Sequence, residues 1–319
     1  NGVATREFRL VILEPILFYA VLRDARLDRR QTLRLADAAV IAGALLALYG
    51  FATYSGSGAV AAEGVRRLKS VYGSPNNLAL MLGRILPILL ALALWGESRR
   101  RRLAYAAAGV PIVAALFLTF STGAWLLGVP SALLVLGAGR SRRAFLAMLG
   151  AIGVAALALI PFARTERVAR LVNVGEAATW ERRQLLWQAT LNMIRDHPWL
   201  GVGLDNFLYE YRDAYYLPGA EVERNLSHPH NILLDFWSRL GILALAALVG
   251  SLATFFRGAW RLFHTLTGDG RWLVLGLAAS MVYGLAHGLI DNSFFLVDLA
   301  FFYMLTVGIV RMIEREGKM

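Results

Sequence analysis

The chain has 319 residues, 57% of them hydrophobic and 17% charged, with a mean hydropathy of +0.53 and a formal net charge of +11. Apolar stretches of about 20 residues alternate with arginine clusters, which excludes a soluble all-helical protein and predicts an all-α, polytopic transmembrane helical bundle. With no cysteine, thiol nucleophiles, thiolate metal sites and disulfides are excluded together.

In chain order the apolar segments are 8–22, 33–54, 76–95, 103–120, 124–139, 144–162, 231–256, 272–290 and 294–311, about nine spans. The first carries Glu14-Pro15 at its middle, where proline removes an internal hydrogen bond, so a kinked or interfacial segment is expected. Arg84 lies inside the third, and an arginine at that depth should face the bundle interior or an aqueous cavity. Arginine clusters at 23–34, 99–102, 140–143, 257–261 and 311–315 fall in alternate connections and mark those sides as cytoplasmic. Most of the net charge follows from this anchoring, so no nucleic-acid partner is inferred. Nine spans with a cytoplasmic C-terminus place residue 1 outside, which predicts a missing upstream piece with an odd number of spans.

The same rule puts a long connection, residues 163–230, on the outer side as a loop inserted in a single membrane domain of residues 1–319. It opens with a polar stretch that includes Arg164 and Arg167. Trp180 to Asp196 then reads as an amphipathic lid helix stopped by Pro198. Gln184, Gln188, Asn192 and Arg195 line one face, and Leu186, Trp187, Leu191 and Ile194 the other. Arg182 and Arg183 near its N-terminal end, together with the helix dipole, favour an anion. Gly201-Val202-Gly203 reads as a tight turn, since nothing around it resembles a P-loop or a dinucleotide fingerprint. Tyr209, Tyr211, Tyr215 and Tyr216 read as interfacial anchors, with a sugar-stacking surface as the alternative.

Chemistry concentrates at Ser227-His228-Pro229-His230-Asn231, where two histidines flank a proline in extended backbone just before a helix. Asn231, Asp235, Ser238 and Arg239 share one stripe of that helix, which marks a site or a buried pair. The histidines could be metal ligands, helix caps or a catalytic base. A metal needs further ligands, and His197, Asp205 and Glu210 show no recurrent ligand spacing, so none is assigned. A base is favoured, because imidazole, with an ordinary pKa of about 6.5, can take a proton from a sugar hydroxyl at neutral pH. Arginines are the complement, binding a pyrophosphate in bidentate fashion as it leaves. His287, with Asp291 and Asn292 one turn beyond it, reads as a second polar cluster near the outer face that supports the site, with binding between helices as the alternative.

Three stretches in continuous order carry a family resemblance: Arg182 to Ala189, Asp196 to Phe207, and His228-Pro229-His230-Asn231 with nine residues intervening before Gly241. Together they resemble the O-antigen ligase and O-antigen polymerase superfamily. Ser74-Pro75-Asn76-Asn77 and Gly288-Leu289-Ile290-Asp291-Asn292 extend the likeness over most of the chain. The resemblance implies a membrane glycosyltransferase of the bacterial inner membrane, without metal or cofactor, whose site faces the periplasm. It would pass a glycan from an undecaprenyl pyrophosphate carrier to an acceptor hydroxyl, on lipid A-core or another glycan, with inversion. His230 falls on the family's essential histidine and Arg182 or Arg183 on its loop arginine, which makes these three the catalytic candidates. His228, Asn231, Arg84, Arg164, Arg167 and Asp291 are the substrate-binding candidates. One departure is Ser121-Thr122-Gly123, where the family often has Ser-Arg-Gly, so that Arg84, Arg164 or Arg167 would have to supply the missing charge. The alternatives are a polymerase using the same donor and a non-enzymatic transporter. Transport is disfavoured because the polar residues gather on the outer side.

Overall fold

In a computed structural model that describes residues 2–25, 27–62, 65–159, 177–220 and 224–316, the apolar segments fall on helices among the described residues, the seventh running on to Thr265. The elements are α1 (Gly2–Glu7), α2 (Glu14–Asp24), α3 (Arg29–Ala52), β1 (Ala59–Ala62), β2 (Val65–Leu68), α4 (Pro75–Trp95), α5 (Arg99–Leu118), α6 (Val129–Arg140), α7 (Arg142–Leu159), α8 (Ala177–Asp196), α9 (Phe207–Glu210), α10 (Ile232–Thr265), α11 (Gly268–Gly288) and α12 (Val297–Glu316). Helices α3, α4, α5 and α10 are long and apolar enough to cross a membrane. The protein is therefore an all-α, multi-pass membrane protein. Sequence patterning missed the hairpin, in which Ala59 pairs with Leu68 and Ala62 with Val65.

The kink expected at Glu14-Pro15 takes a specific form. A π turn, Phe8–Leu13, joins α1 to α2, and the Glu14 N–H bonds the Arg9 carbonyl five residues back, immediately ahead of Pro15. A second π turn, Ala124–Gly128, ends the same way ahead of Pro130, with Val129 N–H on the Ala124 carbonyl. A proline ring clashes with the carbonyl four residues before it, and the wider turn relieves that clash while the helix continues.

The chain divides into two compact units. The first comprises Asn1–Leu22, Asn173–Phe256 and Gly288–Gly308. Its apolar packing runs from Phe18 on Phe301 to Phe236, whose ring lies 4.8 and 4.9 Å from those of Phe294 and Phe295. A separate small core of Leu186, Ala189, Met193, Phe207 and Tyr211 orders the connection that carries α8 and α9 without any disulfide. Tyr211 stacks on Phe207 and is fully buried, Tyr216 packs edge-on against it, and Tyr215 donates to Asp196 at 2.8 Å. Three of the four tyrosines read as interfacial anchors thus belong to this core, and Tyr209 alone of the four is largely exposed. Leu191, placed on the apolar face by periodicity, is exposed beside Gln188.

The second unit comprises Arg23–Val172, Arg257–His287 and Ile309–Met319. Its centre is α4, buried almost all round from Leu78 to Leu92. Small residues let neighbours approach closely: Gly43 of α3 lies against Ile85 and Ile112, Gly109 of α5 against Leu89, and Gly276 of α11 against the Ile88 backbone.

Candidate active site

The His-Pro-His turn is built by its cap. Asn231 Oδ1 accepts the Leu233 and Leu234 N–H groups at 3.0 and 3.2 Å and so starts α10, while its Nδ2 donates to the Leu289 carbonyl at 3.2 Å. His230 just before it has φ +50°, a left-handed conformation that is uncommon away from glycine and held only where surrounding contacts enforce it.

Those contacts come from three directions within the first unit. Trp187 of α8 donates its indole N–H to the Pro229 carbonyl at 3.0 Å. Arg183, one helical turn earlier, donates to the Ile290 carbonyl at 2.6 Å. Arg239 of α10 is 5% exposed; it donates to the Ser227 carbonyl at 2.6 Å and to Glu7 at 2.9 Å, and pairs with Asp235 at 2.6 Å. The polar stripe expected on this helix is therefore a buried ion cluster that grips the chain just before His228.

Gly241 breaks α10, with φ +78°. The glycine turn 201–203 docks beside this break: Val202 and Gly203 N–H bond the Ser238 and Arg239 carbonyls at 2.8 and 3.0 Å, and Ile242 N–H bonds the Pro198 carbonyl at 3.0 Å. A Cβ on Gly241 would come 1.9 Å from the Trp199 carbonyl oxygen, and one on Gly201 would sit 2.6 Å from the Ser238 carbonyl oxygen. The turn reading holds, and its glycines permit backbone contact with the helix.

At the centre, His230 Nδ1 lies 3.3 Å from Asp291 Oδ1 and His228 Nε2 lies 3.9 Å from the same oxygen. The two imidazoles meet edge to face, 4.3 Å between centroids. Asp291 is buried and its Oδ1 also accepts the Asn292 N–H at 2.8 Å. Burial, and then the neighbouring His230, push the His228 imidazole down to about 3, so it is neutral at physiological pH.

His228, His230, Asn231, Asp291 and Arg183 are thus brought together in one unit. Arg182 is half-buried on α8 without a hydrogen-bond or ion-pair partner among the described residues. Arg84 belongs to the second unit, is 5% exposed, and packs on Gly284, where a Cβ would come 2.8 Å from its Nε. Arg164 and Arg167 lie outside the described residues. α11 ends at Gly288, and Asp291, beyond that end, lies against the histidine pair. His287 lies 3.4 Å from Ser121 Oγ and 3.2 Å from the Tyr283 hydroxyl, which donates to the Ala79 carbonyl. Gly123 is the reason that ring fits, since a Cβ there would lie 2.3 Å from it. Sequence reading also missed Trp187 as an anchor of the turn, Glu7 as a partner of Arg239, and Arg67, whose guanidinium bonds the Thr119 carbonyl and Asn76 at 2.8 and 2.9 Å.

An O-antigen ligase family model matches residues 107–249, a range that holds Ser121-Thr122-Gly123, α8, the histidine pair and Gly241. The O-antigen ligase of Pseudomonas aeruginosa is 30% identical over 201 residues, 60% of this chain and 45% of that protein, so the match spans less than half the relative's length. A chain from a peptidoglycan synthase complex, solved in work on its structural coordination of polymerization and crosslinking, matches with a TM-score of 0.53 at 17% identity, covering 99% of this chain and 90% of that one; it shares the fold. By sequence, residues 107–249 are thus similar to the O-antigen ligase family.

Proposed function

We propose that the protein is a glycosyltransferase of the ligase type, passing a glycan from an undecaprenyl pyrophosphate donor to an acceptor hydroxyl at the outer face of the bacterial inner membrane. The observation that carries this reading is His230 at 3.3 Å from buried Asp291, with Arg183 fixed one residue away on the Ile290 carbonyl. With the proton of His230 on Nδ1, Asp291 accepts it and holds the ring, and Nε2 is left to take the proton of the acceptor hydroxyl. The oxygen attacks the anomeric carbon from the face opposite the pyrophosphate, with inversion. Arg183 and Arg182 stabilise the charge that collects on the leaving pyrophosphate, and Arg84, Arg164 and Arg167 are further candidates for holding it. No step calls for a metal.

The test is transfer from purified donor by the full-length protein and its His230→Ala variant, with lipid A-core and a second lipid-linked glycan offered separately. Transfer to lipid A-core that falls by roughly 10²–10⁴ in the variant is expected. Elongation of the lipid-linked glycan instead would make the protein a polymerase, and full transfer by His230→Ala would remove the mechanism.

A further inference from the structure

We infer that His228, His230 and Asp291 form a binding site for a zinc-type divalent cation, and that the bound ion silences His230.

The starting point is an unsatisfied atom. His228 Nε2 is buried and has no hydrogen-bond partner among the described residues, while its other nitrogen lies 3.1 Å from Ser227 Oγ. If Nδ1 carries the proton and donates to Ser227, Nε2 presents a lone pair toward a carboxylate oxygen 3.9 Å away, two acceptors with no donor between them. If Nε2 carries the proton, 3.9 Å is too long for a hydrogen bond. Either tautomer leaves a buried polar group unpaired, which is costly, and a cation held between nitrogen and carboxylate removes that cost.

The ligand set selects the ion. One nitrogen from each histidine and one Asp291 oxygen lie within 4.8 Å of one another. A tetrahedral zinc with bonds of about 2.0–2.1 Å spaces its ligands by ~3.4 Å, so the His230–Asp291 pair is already at the required separation and His228 closes by rotation about its side chain. Two imidazoles and a carboxylate suit zinc with water in the fourth position. Outer hydrogen bonds of the kind that orient metal ligands are also in place, Ser227 Oγ on His228 and the Asn292 N–H on Asp291.

Silencing rests on the proposed base role and follows from which nitrogen is taken. An ion on His230 Nδ1 displaces the proton from that atom, and the neutral ring then carries its proton on Nε2. The nitrogen that would accept the acceptor's proton no longer has a lone pair to do so.

The experiment uses tag-free full-length protein in detergent, stripped with EDTA, then dialysed against Zn²⁺ or titrated with Co²⁺ as the spectroscopic probe. One ion per chain is expected, with affinity at least about tenfold weaker in His228→Gln and in Asp291→Asn. His197→Gln and His264→Gln, which alter exposed histidines outside the cluster, should bind as the parent does. Absence of stoichiometric binding, or binding undiminished in a folded Asp291→Asn, would overturn the site. Melting in EDTA reports folding, and Asp291→Glu, which keeps a carboxylate ligand, serves if Asp291→Asn does not fold. One equivalent of Zn²⁺ should lower glycan transfer at least tenfold, reversibly with EDTA. Zinc bound without loss of transfer, in a protein whose His230→Gln variant is inactive, overturns the silencing. Transfer that survives His230→Gln removes the base role instead and leaves the ion site standing on its binding data.

Discussion

Arg239 shows how much a single side chain can organise. It is buried with two carboxylates, Asp235 and Glu7, and also holds the carbonyl that precedes His228. Arg239→Met would leave both acids uncompensated, and a loss of about 3–5 kcal/mol is expected, read as a large fall in melting temperature. Arg239→Lys keeps the charge but not the branched donors, so it should recover part of the stability and little of the hold on Ser227. His228 makes a different prediction. Its imidazole is held down to about 3, so the unfolded chain, with an ordinary value of about 6.5, takes up a proton that the folded chain refuses. This contribution to stability is fully present above pH ~6.5 and is lost as pH falls toward ~3. In EDTA, the acid-side decline in melting temperature should be shallower for His228→Gln than for the parent. A parallel decline in both would show that His228 does not carry it.

At the scale of elements, the helices were legible because span length and apolarity are local properties of the sequence. The joints between them were not. Asp291 meets His230 across 61 residues of chain, beyond the point where α11 stops, and no local pattern announces that contact. Tyr211, Tyr215 and Tyr216 join a core unannounced for a related reason: an aromatic-rich stretch looks the same whether it meets lipid headgroups or closes a small core over α8. The break at Gly241 is equally silent in the local pattern, although it decides how the loop docks. Gly241→Ala should destabilise by about 2 kcal/mol or more, since it combines a positive φ with a clash against the Trp199 carbonyl, and limited proteolysis near residue 200 should accelerate. Trp187→Phe keeps the packing of α8 and removes one hydrogen bond to the Pro229 carbonyl. About 1 kcal/mol is expected in the melt, together with slower transfer.

For the whole molecule, the natural lack of cysteine makes orientation directly measurable. Gln188 on α8 and Arg100 at the start of α5 are both exposed. In intact cells, Gln188→Cys should react with a membrane-impermeant maleimide, and Arg100→Cys should react only after permeabilisation. The reverse pattern would turn the arginine-based topology over and with it the outward-facing site. The connection that carries α8 and α9 also cannot be treated as a part that detaches from α10. The amides of Val202 and Gly203 and the carbonyl of Pro198 find their partners in α10 around the Gly241 break. An excised soluble fragment ending before the helix would leave those groups to water and would lack the Asn231 cap and the Arg239 grip on Ser227. Binders raised against such a fragment would meet a His-Pro-His sequence without the left-handed turn that presents it, so affinity reagents for this face call for the intact chain in a bilayer mimic.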